Sequence, residues 1–231
     1  TKFGDVKMKD GMLLDGLTDV YNATHMGNCA ELCAKEHNIS REAQDDFAIE
    51  SYTRSTKAWA EGAFADEVVP VAVPQRKGDP IYVDTDQEFS QVKMDKIRTL
   101  RSAFQKDGTV TAANASTLND GASALVLASE EAVQANGLTP IARIASTADA
   151  AQAPEWFTTA PSKAVPRALD KAGWHSDDVD LWELNEAFSV VGLVNADLLG
   201  LDGSKVNVNG GSIALGHPIG ATGAVLINTA L

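Results

Sequence analysis

Val179-Asp-Leu-Trp-Glu-Leu184 runs directly into Asn185-Glu-Ala-Phe-Ser-Val-Val-Gly-Leu-Val-Asn-Ala-Asp-Leu-Leu199. The first six residues read as a short buried strand, and 186–199 reads as a helix. The alternation continues outward. Segments 122–128, 141–145 and 206–208 have strand texture, and 130–137, 161–173 and 219–231 have helical texture. Strands alternating with helices predict βαβ units: an α/β fold whose mostly parallel, mixed sheet carries helices on both faces.

Residues 1–119 have a different texture. They carry 14 basic and 19 acidic side chains, against 5 and 13 in the remainder. Segments 27–37 and 41–62 read as helices. The second opens on Ser40 as its cap, with Glu42, Asp45 and Asp46 in the early turns, and stops near Gly62. A strand at 68–73 is ended by Pro74. Gly78-Asp79-Pro80 then turns the chain, so that 81–83 pairs back. Lys93, Lys96, Arg98, Arg101 and Lys106 follow as a basic cluster.

Composition narrows the classes. With 231 residues, 44% hydrophobic and 22% charged, the chain has ordinary globular proportions and can bury a core. No apolar run approaches the roughly 18 residues of a membrane helix. A net charge of −13 counts against nucleic acid as a partner. Two cysteines, Cys29 and Cys33, are too few for a disulfide scaffold and point to a reducing compartment. The chain opens on Thr1 without a methionine and stops at Leu231 inside an apolar helical run, so it reads as an internal piece of a longer protein.

Four stretches carry candidate chemistry. Asn185 stands where a strand meets a helix, the place where open α/β sheets bind ligands. Its amide offers both a donor and an acceptor, and a plain helix cap is the competing reading. Segment 210–223 holds five glycines, and within it His217 lies between Gly216 and Pro218. A histidine fixed in a tight loop at a strand's carboxyl end suits a near-neutral donor or base. No Gly-x-Gly-x-x-Gly or Gly-Lys-Ser/Thr occurs, so neither a dinucleotide fingerprint nor a Walker loop is expected. Segment 110–121 is rich in small residues that permit close approach to a ligand, or simply form a tight loop. Thr24-His25-Met26-Gly27 precedes a helix, where His25 either lines a pocket or satisfies the loop. The four histidines have no metal-ligand spacing with the cysteines, so no zinc site is expected. Cys29 has Glu31 close by, and both cysteines read as packing residues.

Taken in order, these segments resemble the thiolase family, nearest its mitochondrial-type acetoacetyl-CoA members. The resemblance spans the whole chain. It rests on Asn-Glu-Ala-Phe at 185–188, Asn-Gly-Gly-x-x-x-x-Gly-His-Pro-x-Gly at 209–220, Thr-Ala-x-Asn-Ala-Ser at 111–116, Leu-Asn-Asp-Gly at 118–121 and His-Met-Gly at 25–27. Phe104-Gln-Lys, Ser51-Tyr-Thr-Arg and Trp182-Glu add to it. It implies the thiolase fold, with a CoA-binding loop domain at 1–119. The end of the first half-domain would lie at 120–140 and an incomplete second half-domain at 141–231. It implies acyl transfer by reversible Claisen condensation: two acetyl-CoA give acetoacetyl-CoA and CoA, with thiolysis in reverse.

Residue roles follow by the same resemblance. His217 activates a nucleophilic thiol and helps form an oxyanion hole, and Asn185 holds the water that completes the hole. Ala115, Ser116 and Ala187 contact the CoA arm. Met26, Phe104 and Phe188 line its channel, and His25 lies near the acyl pocket. A potassium ion is held in mitochondrial-type members by a tyrosine hydroxyl and carbonyls. The carbonyls match Ala112, Ala113, Ala115 and Ile213, but the tyrosine position reads Phe89. Phenylalanine offers no oxygen, so the expectation is a weakened potassium site and no cofactor beyond the CoA thioester substrate. A homotetramer or homodimer is implied, in a bacterial cytoplasm or a mitochondrial matrix, in lipid metabolism and without nucleic acid or membrane.

The chain departs from the family in one respect. Neither the Cys-x-Ser/Gly-Gly nor the Cys-x-Gly motif of its two catalytic cysteines occurs, and Cys29 and Cys33 match neither. The 231 residues alone are therefore expected to be inactive. A ketoacyl synthase would carry histidine where Asn185 stands. A degradative 3-ketoacyl-CoA thiolase and a non-catalytic CoA-binding scaffold subunit are the remaining alternatives; a scaffold has no need of Asn185 and His217.

Overall fold

A computed structural model describes residues 3–231. Helix α1 (Met26–Glu36) starts where His25 Nδ1 accepts the Gly27 N–H at 2.9 Å. Helix α2 (Arg41–Glu61) starts where Ser40 Oγ accepts the Ala43 N–H at 3.0 Å, and it ends at Gly62 as expected. Each cap satisfies an amide that the first turn leaves unpaired. Ahead of α1, β1 (Thr18–Asp19) pairs antiparallel with β2 (Thr24–His25). After α2, β3 (Val71–Val73) pairs antiparallel with β4 (Ile81–Val83), Ala72 opposite Tyr82, as the Gly-Asp-Pro turn predicts. Then come α3 (Glu88–Gln91), α4 (Glu130–Asn136), α5 (Pro161–Ala172), α6 (Ser189–Leu199), α7 (Ser212–Leu215) and α8 (Thr222–Ala230).

Two apolar clusters hold the helices. Ala30, Cys33 and Ala34 of α1 face Val190, Val191 and Val194 of α6, closed by Val110 and Phe188. Ala48 and Tyr52 of α2 face Ile213 and Ala214 of α7, with Ile97, Ala113 and Phe89 around them. Small residues on α1 and α2 let their partners approach closely, and burial of the larger side chains stabilises each contact by about 1.5–3 kcal/mol per residue.

Buried carboxylates complement these clusters. Glu31 of α1 accepts the Thr109 and Val110 N–H groups and the Thr109 hydroxyl, all within 2.8–2.9 Å. Asp45 of α2 accepts Asn114 Nδ2 at 2.9 Å and Arg41 Nε at 2.7 Å. Asn114 Oδ1 in turn accepts the Thr111 N–H at 2.7 Å. Residues 109–114 thus keep an irregular backbone yet leave no costly unpaired amide here.

The parallel ladder expected from the sequence is reduced, among the described residues, to one bridge. Trp182 N–H donates to Lys205 O at 2.9 Å and Asn207 N–H donates to Trp182 O at 2.8 Å. The next rung is made by a side chain. Asn207 has φ +47, and its Oδ1 and Nδ2 pair with Leu184 N–H and O at 2.8 and 2.9 Å. Segments 122–128 and 141–145 form no ladder; Val126 is 94% and Ile141 84% exposed. Strand texture becomes a strand only where a neighbour takes its amides, and no such neighbour pairs with them among the described residues. The helix expected at 186–199 begins three residues later because Glu186 is drawn into a buried network described below. The helix expected from 219 begins at Thr222, after a turn closed by the Ala221 N–H on Pro218 O at 2.7 Å.

Candidate active site

Two loops, 115–119 and 185–188, meet the segment 212–217, which begins with α7. Ala115 bridges Phe188 in antiparallel fashion. Ser116 donates twice to Ala187 O, from N–H at 3.0 Å and from Oγ at 2.9 Å, while Ser189 N–H donates to Asn114 O at 2.8 Å. One residue on, Thr117 O accepts the His217 N–H at 2.9 Å, and Asn119 Oδ1 lies 3.2 Å from the same amide. Asn119 is itself held by Thr117 Oγ1 at 2.7 Å and by Glu88 Oε1 at 3.1 Å. Gly216 has φ +96, and a Cβ there would meet Asn119 Oδ1 at 2.5 Å, so the loop needs glycine at this position.

Asn185 and His217 each have one side-chain polar atom engaged and one without a partner among the described residues. Asn185 Oδ1 accepts Ser212 Oγ at 2.6 Å. Ser212 is buried and its hydroxyl proton has no other acceptor among the described residues, which assigns Oδ1 to this bond and leaves Nδ2 as the donor. His217 Nδ1 lies 2.7 Å from Thr222 Oγ1, leaving Nε2 without a partner among the described residues. Burial pushes the His217 pKa below its ordinary 6.5, so the ring is neutral at pH 7. A donor at Asn185 Nδ2 and a neutral imidazole nitrogen suit proton transfer beside a developing oxyanion.

The aromatic residues form a second part of the site. Phe104 stacks on His25 with ring centroids 4.8 Å apart and meets Phe188 edge-on at 6.2 Å. Met26 and Phe104 both pack against the α1–α6 cluster. A Cβ at Gly27 would meet the Phe104 ring at 2.4 Å, so only glycine admits this stack. His25 serves as the cap of α1, with Nδ1 accepting, and burial lowers its pKa. A cleft of about 410 Å³ lies at 101–106, next to Phe104.

The basic cluster divides. Arg98 is paired with Asp46, and Lys96 lies 3.7 Å from Asp95. Lys93, Arg101 and Lys106 have no carboxylate partner among the described residues, and Arg101 and Lys106 flank the cleft.

Cys29 and Cys33 are buried, and burial pushes both thiols up, Cys29 further through Asp19 and Glu155. Both properties oppose a nucleophilic role. For a cation, the carbonyls of Ala112, Ala113, Ala115 and Ile213 accept no hydrogen bond from the described residues. Phe89 packs on the cluster that contains Ala113 and Ile213, and its ring stacks on Trp59 at 6.0 Å. Phe89 itself offers no oxygen to a hard cation.

Several residues that shape the site carry no simple sequence signal. Glu186 is 1% exposed and accepts Ser51 Oγ at 2.7 Å, Asn207 Nδ2 at 2.8 Å and the Ile213 N–H at 3.3 Å. It ties α2, the 207 turn and α7 to the loop that carries Asn185. Ser212, Thr222 and Asn119 are small polar residues in loop-forming stretches and carry no pattern of their own. Beside this network Glu183 is raised to about 7 by burial, with Glu186 and Glu67 adding to it. A carboxyl raised from 4.5 favours the fold while protonated; that contribution is full below 4.5 and lost as pH rises through about 7. Glu183→Gln is therefore expected to stabilise the chain at pH 8 by on the order of 2 kcal/mol and to change little at pH 4.5. Urea unfolding at the two pH values checks this; an equal effect at both would contradict it.

The chain superposes on solved thiolases. The Acat5 thiolase of Ascaris suum in complex with coenzyme A matches with a TM-score of 0.90 and 43% identity, over 99% of this chain and 59% of that one. The acetyl-CoA acetyltransferase of Bacillus anthracis matches with a TM-score of 0.93 and 37% identity, over 99% and 58%. The architecture is thus the thiolase fold. Residues 1–131 match the thiolase N-terminal domain and 138–231 the thiolase C-terminal domain, so the chain belongs to the thiolase family. Mitochondrial acetyl-CoA acetyltransferases of Gibberella zeae and Mus musculus are 55% and 51% identical over 99% and 98% of the chain. The chain spans about half the length of these relatives, 54% of each.

Proposed function

We propose that the complete enzyme carrying this chain is an acetyl-CoA C-acetyltransferase. It joins two acetyl-CoA into acetoacetyl-CoA and free CoA, and cleaves acetoacetyl-CoA in reverse. The observation that carries this reading is that Asn185 Nδ2 and His217 Nε2, neither with a partner among the described residues, sit on segments bolted to one loop through Ser116–Ala187 and Thr117–His217. His217 Nε2 takes the proton of the nucleophilic thiol. Asn185 Nδ2 holds the water that, with His217, faces the thioester oxygen as negative charge develops there. Donors preorganised on a developing oxyanion are the expected large catalytic contribution. Relatives named acetyl-CoA acetyltransferases and a thiolase solved with coenzyme A support the substrate class.

The CoA arm runs along Ala115, Ser116 and Ala187 and past Met26, Phe104 and Phe188, with His25 behind Phe104. Residues 1–119 act as the CoA-binding loop domain. The location is the mitochondrial matrix, as the names of the relatives suggest, and the assembly is a homotetramer or homodimer. Comparing thiolysis of acetoacetyl-CoA with that of longer 3-ketoacyl-CoA tests the reading. A strong preference for the four-carbon substrate supports it, and a preference for long chains would make the protein a degradative thiolase.

The anionic end of CoA settles near the cleft at 101–106. Arg101→Gln with Lys106→Gln is expected to weaken CoA binding at low salt by about tenfold, and less at 0.5 M salt where screening is strong. Titration calorimetry checks this. Unchanged affinity at low salt would make these residues a solvated face.

Potassium activation is expected to be weak or absent, because Phe89 supplies no oxygen. Exchanging potassium for sodium in the assay decides. A large potassium-specific gain in rate would show that the carbonyls, completed by water, suffice.

A further inference from the structure

Thr222 opens helix α8, is 6% exposed, and places Oγ1 2.7 Å from His217 Nδ1 and 3.0 Å from Pro218 O. A threonine hydroxyl has one proton and two lone pairs. Pro218 O only accepts, and it also takes the Ala221 and Thr222 amides at 2.7 and 2.9 Å. His217 Nδ1 donates or accepts according to tautomer. If the hydroxyl proton went to Nδ1, the contact with Pro218 O would be left without a proton. With the hydroxyl proton on Pro218 O, a proton on Nδ1 completes the other contact. The second arrangement gives each contact a proton, whereas the first leaves two oxygens facing each other at 3.0 Å with none between them.

We propose that Thr222 is a positioning residue that holds His217 as the Nδ1–H tautomer and so keeps the Nε2 lone pair available to the thiol. The inference rests on the reading of His217 as the proton acceptor. When the thiol S–H bond breaks, its proton passes to Nε2 and the sulfur keeps the electron pair as thiolate. The Nδ1 proton stays in place, still accepted by Thr222, whose own proton stays on Pro218 O. No hydrogen bond has to be remade, and the imidazolium keeps a partner. Among the described residues no carboxylate is bonded to this ring, so the hydroxyl alone sets its tautomer.

Two measurements test this, and one needs no catalysis. Long-range proton–nitrogen NMR correlation of the complete enzyme with labelled histidine at pH 7.5 reads the tautomer directly. The expected spectrum has a protonated Nδ1 and an unprotonated Nε2 for His217, kept in Thr222→Ser and lost in Thr222→Val. An Nε2–H tautomer in the parent chain would overturn the proposal even if every variant folds. In the complete enzyme, Thr222→Val is expected to lower kcat about tenfold or more with KM for acetoacetyl-CoA nearly unchanged, and Thr222→Ser to restore most of the rate. Equal kcat in parent and Thr222→Val would also overturn it. An enzyme inert toward acetoacetyl-CoA would instead refute the activity assigned above and leave the tautomer result to stand or fall by NMR.

Discussion

Replacing His217 by alanine in the complete enzyme is expected to lower kcat by about 10²–10⁴-fold while leaving CoA affinity nearly unchanged. The residue is held by contacts at its backbone and at Nδ1, so Nε2 is the ring nitrogen left without a partner among the described residues. The CoA arm is assigned to other residues, 115–116 and 187–188 with Phe104, so binding survives the change. Single-turnover rates and CoA titration on the same variant separate the two quantities. Comparable turnover in parent and variant would remove His217 from the mechanism.

Glu186→Ala is expected to destabilise the chain by about 2–3 kcal/mol, a large share of a domain's whole stability. The substitution removes the acceptor of the Ser51 hydroxyl, of the Ile213 N–H and of one Asn207 Nδ2 proton, while Nδ2 keeps its bond to Leu184 O. It also opens a hole where Gly211 now lies against the carboxylate. Glu186→Gln keeps one acceptor and the volume, and so costs less. Urea unfolding followed by circular dichroism measures both. A midpoint for Glu186→Ala equal to the parent's would show that the network contributes little.

Much of the architecture was legible because it was written locally. The helix at Arg41–Glu61 announced itself through Ser40 and Gly62, and the β3–β4 hairpin through its Gly-Asp-Pro turn. Segments 122–128 and 141–145 were not, because a strand is defined by its neighbour and no neighbour pairs with them among the described residues. At the site, Asn185 and His217 stood out by residue type and loop chemistry. What fixes them did not. Ser212 is an ordinary serine in a glycine-rich run, and Glu186 reads as an early helical acid until its three donors are seen. Buried polar networks join residues up to 160 positions apart, as Ser51 and Gly211 are, and no sequence period marks such a link.

Thiolysis of acetoacetyl-CoA by free CoA, followed at the same protein concentration for the complete enzyme and for the 231-residue chain, tests the assignment most directly. The complete enzyme should cleave acetoacetyl-CoA and form it from acetyl-CoA in reverse. The chain alone should do neither, because Cys29 and Cys33 are buried with raised thiol pKa values. A complete enzyme inert toward acetoacetyl-CoA, or turnover by the chain alone that Cys29→Ala abolishes, would contradict it.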